Sequence, residues 1–336
     1  MKGVMRRSLP VARGTVVALS WSVILVNRLA TCGALLALSV LPAFSEPADV
    51  VYRHDLADFT GTIPTSDARV VVDPPRSEVY TVYGNEVRVF NDAGMEIYRF
   101  RVNADDGRVS DLAIEENGSL LMILYAPDDP ARRTWSLRRF DFRGRPLDEI
   151  ALDRDGALSE LLPNRLLLRQ GAIWLVSQGQ MRAAAFSFDG SLRMDLDLAS
   201  KAGLSPEDRG NAEVSGFDVG ADGTIAFAIP VQFRVHAIGP DGTVRSFGRA
   251  GSAAGNFGVL GDVALDPEGN LFVSDRLRSL VMIFNRDFRF LREFGTVYRR
   301  QRLARPGSIA LDPAGVLYVS QVRDRGVAVF AITSAP

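Results

Sequence analysis

The sequence predicts a six-bladed β-propeller whose ring is closed by a strand from its own N-terminus. Three observations predict it. One strand–turn–strand pattern recurs six times, and its bulky third-strand landmark returns at intervals of 46 to 52 residues. The last copy also stops one strand short, while an unmatched strand stands near the start of the chain. Four strands repeated at roughly 40–50 residues is the spacing of a propeller blade.

The clearest pair of copies lies near the C-terminus. Asp262-Val-Ala-Leu-Asp-Pro-Glu-Gly-Asn-Leu-Phe-Val-Ser-Asp275 returns as Ser308-Ile-Ala-Leu-Asp-Pro-Ala-Gly-Val-Leu-Tyr-Val-Ser-Gln321. Each reads as a strand, a Pro/Gly turn and a second strand, with apolar residues alternating (Val263 and Leu265; Leu271 and Val273) at the period of a sheet. Earlier copies keep the rhythm with less fidelity: Phe217-Asp-Val with Ile225 to Ile229, Leu166-Leu-Leu with Ala172 to Val176, Leu112-Ala-Ile with Leu120 to Ile123, and Val70-Val-Val with Glu78 to Val82. The third-strand landmarks are Phe90, Phe140, Phe186, Ile238, Phe284 and Phe330, and four of them precede a turn glycine by four residues (Gly94, Gly144, Gly190 and Gly242). A fourth strand ends each of the first five copies, as in Thr243 to Gly248. The sixth copy lacks one, and Val50-Val-Tyr-Arg-His-Asp-Leu-Ala-Asp-Phe59 resembles the fourth strand Phe290-Leu-Arg-Glu-Phe294. Pairing it into the last blade removes an exposed sheet edge.

The fifth copy carries Gly251-Ser-Ala-Ala-Gly255-Asn-Phe257, then Val263-Ala-Leu-Asp266, Gly269-Asn270 and Val273-Ser-Asp275. In that order these resemble the NHL repeat, closely over about 251–330 and in strand rhythm alone over 68–250. The resemblance implies a six-bladed ring. It also implies relatives of two kinds, binding modules and enzymes, the latter including lactonases with a carboxylate/Asn metal site on the axis and a lyase with a His-ligated zinc. The chain departs from the repeat where the family has Asn and Arg after that Asp: here stand Arg278 and Leu280, and Asp324 and Gly326 in the last blade. A familiar polar clasp between strands is thereby lost.

Of the 336 residues, 47% are hydrophobic and 24% charged, enough to bury a large core. Residues 1–45 hold Lys2, Arg6, Arg7, Arg13 and Arg28 with no acid, followed by the apolar run Leu29 to Leu41 and the small-x-small site Ala43-Phe44-Ser45. This is the order of a secretory signal, which places the protein in the periplasm or outside the cell. The rival is an uncleaved membrane anchor, which would bury Arg28 mid-bilayer at about 2.5–3.5 kcal/mol. The predicted organisation is a signal over 1–45, a closing strand and linker over 46–67, and the propeller over 68–336. Beyond residue 45 the chain has 34 basic and 40 acidic residues, which gives no global pull on nucleic acid. Cys32, the sole cysteine, leaves with the signal, and His54 and His236 are too few for a three-His zinc site.

In a four-stranded blade the 1–2 and 3–4 turns share one face, and the 2–3 loops and blade connections share the other. The long segments (126–135, 152–165, 199–214 and 296–306) all belong to the second face, which is therefore the expected binding face. The same face gathers Arg276, Arg278, Arg299, Arg300, Arg302, Arg305, Arg323 and Arg325, a cluster suited to carboxylates or phosphates. Its rival reading is a solvated surface. Asp111 and Asp262 begin inner strands and Asp275 ends a second strand, so together they could offer hard oxygen ligands to calcium at the channel mouth; the rival reading makes them turn formers or arginine partners. Asp153, Asp155 and Glu160 have a fainter calcium character, and His236 reads as a packed histidine. No phosphate loop, zinc-protease motif, Cys pair or nucleophile elbow is present. The expected protein is an exported, monomeric, non-catalytic module without a cofactor, gripping a protein or anionic ligand. The alternative is a metal-dependent lactonase, hydrolase or lyase.

Overall fold

A computed structural model describes residues 49–128, 134–296 and 302–333. The proposed signal over 1–45 lies outside them. Each repeat forms a four-stranded antiparallel sheet, and in the first five the strands follow chain order from the axis outward. The inner strands are Arg69–Asp73, Arg108–Ile114, Arg165–Arg169, Gly216–Val219, Leu260–Leu265 and Ile309–Asp312. The sixth sheet takes its outer strand from Asp49–Asp55, which pairs antiparallel with Val327–Thr333. Ring closure by the N-terminal segment is therefore as the repeat count requires. Among the described residues only two short α-helices occur, Leu198–Lys201 and Pro206–Arg209, both in the connection between blades 3 and 4.

The core lies between blades. Every sheet is buried on both faces, so its middle strands read as near-continuous apolar runs. In blade 5, Leu271, Val273, Met282 and Phe284 pack against Ala226, Ala228 and Val235 of blade 4. The alternate residues Phe272, Val281 and Ile283 pack against Leu317, Val319 and Phe330 of blade 6. An equivalent cluster fills each of the other inter-blade gaps. The two-residue period thus sends successive side chains to opposite neighbours, and a register slip of one residue would exchange both interfaces.

All six third-strand landmarks are buried. At Phe90, Phe140, Phe186 and Phe284 the register with the outer strand shifts, a bulge that bends the outer strand away. The turn glycines Gly94, Gly144, Gly190 and Gly242 have φ near +80° to +90°, and three of them touch the preceding blade, Gly94 meeting the His54 ring. A Cβ on Gly190 would stand 1.9 Å from the Ala151 carbonyl oxygen, and one on Gly144 would enter the Phe100 ring. Glycine is needed there for the positive φ and for the close approach of one blade to the next.

His236 is packed, as its strand context predicts. It lies parallel to the Phe227 ring at 5.1 Å, with Nδ1 2.8 Å from Ser246 Oγ and Nε2 2.9 Å from Gln232 Oε1. Its pKa is pushed down to about 4, first by burial and then by the Arg234 charge. An unfolded chain, with an ordinary histidine value, binds more protons between those limits. The stability it contributes is therefore complete above about pH 6.5 and lost as pH falls toward 4, amounting to roughly 2–3 kcal/mol. Replacing His236 with Phe should flatten the loss of stability between about pH 7 and pH 4.5, followed by urea unfolding. Parallel profiles for variant and wild type would assign the acid sensitivity to other groups.

Candidate functional site at the propeller axis

The residue that opens the inner-strand motif sits nearest the axis. Around the ring these residues are Arg69, Asp111, Arg165, Gly216, Asp262 and Ser308, each preceding the first apolar residue of its strand motif. Four of them form one buried ion cluster. Arg69 Nε donates to Asp111 Oδ1 at 3.1 Å, and Arg69 Nη1 donates to Ser308 Oγ at 2.8 Å and lies 3.5 Å from Asp262 Oδ2. Arg165 pairs bidentately with Asp262, Nη1 to Oδ2 at 3.1 Å and Nη2 to Oδ1 at 3.2 Å, and its Nε stands 3.9 Å from Asp111 Oδ2. Gly216 lets two blades close on the axis, because a Cβ there would meet Val263 N at 2.5 Å.

Backbone donors complete both carboxylates. Asp111 accepts from Leu112 N at 2.9 Å and from Leu166 N of the next blade at 2.8 Å. Asp262 accepts from Val263 N at 3.0 Å and from Ile309 N of the next blade at 3.2 Å. Each aspartate is thus both an ion-pair partner and a blade-to-blade strap. Asp218 repeats the arrangement one step along the channel, accepting from Leu265 N at 2.9 Å and from Arg169 Nε at 3.0 Å. Burial pulls the Arg69 pKa down, helped by the Arg165 charge and opposed by Asp111 and Asp262. For Arg165, burial lowers the pKa but is outweighed by the Asp262 and Asp111 charges, and the pKa rises.

The three aspartates considered for calcium are not brought together. Asp111 and Asp262 meet the same arginines, whereas Asp275 turns to the lead-in of its own blade. It accepts from Gly258 N at 2.6 Å, Val259 N at 3.1 Å and Arg278 N at 2.8 Å. Asp153, Asp155 and Glu160 are exposed on their loop. Among the described residues no group of three or more His, Cys, Asp or Glu side chains is placed to hold a metal ion.

The arginine cluster divides. Arg278 is committed, with Nη2 bidentate to Glu293 at 2.8 Å and Nη1 donating to the Asn256 carbonyl at 2.7 Å. It clasps the 2–3 loop to the outer strand and to the lead-in, so a polar clasp exists at the position where the sequence departs from the repeat. Arg276 lies 3.7 Å from Asp67, and Arg325 donates to the Arg302 carbonyl at 2.7 Å. Arg302, Arg305 and Arg323 are exposed with no ion-pair partner among the described residues, while Arg299 and Arg300 lie outside those residues. Arg305, Arg323 and Asp324 all hold positive φ, between 45° and 62°. Three non-glycine residues in the left-handed region on one small surface are a local strain, of the kind that gathers at functional sites.

No family model matches the chain, and no match to it was found among curated proteins. Among solved structures the fold is shared with a streptogramin B lyase (12% identity, TM-score 0.57, covering 85% of this chain and 98% of that one). It is shared with virginiamycin B lyase from Staphylococcus aureus (12%, 0.57, 86% and 100%) and with XC5397 of Xanthomonas campestris, a gluconolactonase (15%, 0.55, 86% and 97%). At such identity the likeness carries the six-bladed propeller and nothing finer.

Proposed function

We propose that the chain is an exported, NHL-type propeller that acts as a non-catalytic binding module, holding an anionic patch of a protein partner on its loop-rich face. The observation that carries this reading is the state of the axis. A hydrolytic or lyase site needs a base or metal ligand with a free lone pair where substrate can reach it. The two carboxylates deepest on the axis, Asp111 and Asp262, are each occupied by guanidinium and backbone N–H groups. The lyase and gluconolactonase folds supply a scaffold, and scaffold does not determine chemistry.

Support for the face comes from Arg302, Arg305 and Arg323. All three are exposed and free of ion pairs among the described residues, and Arg305 and Arg323 hold positive φ. Exposed guanidinium groups without an intramolecular partner are available for bidentate pairing with a carboxylate or phosphate. The triple variant Arg302→Glu, Arg305→Glu and Arg323→Glu is expected to lose at least about tenfold in capture of its partner, with unchanged melting. The assay is crosslinking and pull-down from the native envelope or secretion, with wild type and variant side by side. Equal capture by both proteins would end the reading, as would a stoichiometric calcium or zinc ion in the purified protein.

A further inference from the structure

Beyond the ion cluster, toward the 1–2 turns, the inner strands part to leave a cavity of about 300 Å³. Arg69 and Arg165 form its floor, and Ala113, Leu167, Ala310 and Leu311 contribute to its walls. Its mouth lies among Pro74, Gln170, Ala221, Pro267 and Pro313, at the face opposite the arginine-rich loops. The volume is at the lower end of the range of small-molecule sites. The lining is mixed, with Arg69, Arg165, Arg169, Gln170, Asp218 and Asp266 set among apolar side chains.

The floor has donors left over and no acceptor to give. Both aspartates are filled, as described above, but Arg69 Nη2 has no hydrogen-bond partner among the described residues. Arg165 Nε, itself buried, has none either. Two arginines against two aspartates make the floor formally neutral, and the Arg169–Asp218 pair on the wall adds no net charge. One carboxylate without a cationic partner among the described residues, Asp266, lines the mouth. An anion would pass it and then lie buried with no net counter-charge, and a cation would find no free carboxylate at the floor. A neutral acceptor suffers neither cost.

We propose that the channel binds a small uncharged molecule with a carbonyl-type oxygen on an apolar body, an amide or a ketone. The oxygen accepts from the Arg69 guanidinium, and the body lies against Ala113, Leu167 and Ala310. This site is independent of the loop-rich face, and each can fail without the other.

The test uses the mature propeller and three probes of one chain length: hexanamide, hexanoate and hexylammonium. Binding is read by calorimetry and by saturation-transfer NMR. Hexanamide is expected to saturate a single site, with hexanoate and hexylammonium at least about tenfold weaker. Ala310→Leu should weaken hexanamide binding by at least about tenfold by filling the cavity, and Ala310→Val, a smaller intrusion, by less. The protein carrying the three loop-face arginine-to-glutamate changes should bind hexanamide as wild type does. No hexanamide binding, binding that survives both Ala310 variants in folded protein, or hexanoate binding as tightly as hexanamide would each overturn the proposal.

Discussion

Removal of residues 46–60 is expected to lower the melting temperature by about 10–20 °C, the larger of two effects that follow from ring closure. The strand Asp49–Asp55 faces inward at alternate positions, with Val50, Tyr52 and His54 half-buried and Val51 and Arg53 exposed. Tyr52 packs edge-on against Phe330 at 5.8 Å, and Leu56 beyond it is buried and donates its N–H to the Val327 carbonyl at 2.9 Å. Losing these side chains and the ladder to Val327–Thr333 removes about 4–6 kcal/mol. It also bares an apolar edge strand, so the truncated protein should aggregate on heating. A synthetic peptide of residues 46–60 added in trans should restore part of the lost melting temperature, because the missing piece is one edge strand that pairs with Val327–Thr333. Melting of the truncated protein within about 3 °C of wild type would show that the segment closes nothing.

The second large effect is expected at the axis. Replacing Asp262 with Ala should cost about 3–5 kcal/mol, since Arg165 then keeps a buried charge facing only the more distant Asp111. Val263 N and Ile309 N would also lose their acceptor. The double variant Asp262→Ala with Arg165→Met leaves Arg69 and Asp111 as a neutral pair, so it should recover about 1–2 kcal/mol of that loss. Glu149→Ala serves as a control, because it breaks the exposed pair with Arg138 at 3.6 Å and should change stability by less than about 0.5 kcal/mol. Urea unfolding of the four proteins measures all three differences. A cost for Asp262→Ala no larger than the control would mean that the cluster does not hold the ring.

The candidate site was only partly legible in the sequence. Asp111 and Asp262 stood out as axial because they precede the apolar residues of an inner strand, and the alternative that they meet arginines is the arrangement observed. Their partners were not identified. Arg69 and Asp262 are 193 residues apart, and nothing local in either segment points to the other. A signal did exist: aligning the six repeats on the residue before the first apolar position gives Arg, Asp, Arg, Gly, Asp and Ser, an alternation of charge visible only when all copies are read in one column. Arg278 shows the converse case. As a departure from a repeat it looked like a lost contact. Its side chain is long enough to reach Glu293 and Asn256, so the clasp is made from a different residue.

Blade number, the turn glycines and closure by the N-terminal strand follow from the amino-acid sequence alone. They depend on short-range physics: alternation with a period of two, turns that demand positive φ, and an edge that must be paired. Strand starts are not among them: Asp111 and Asp262, expected to begin their inner strands, lie inside strands that start at Arg108 and Leu260 and bulge just before or at the aspartate. The contents of the axis were decided by the tertiary structure. Each blade contributes one residue there, and the chemistry of the channel arises from how six such residues compensate one another once the ring has closed. Its neutral, donor-rich floor belongs to no single repeat.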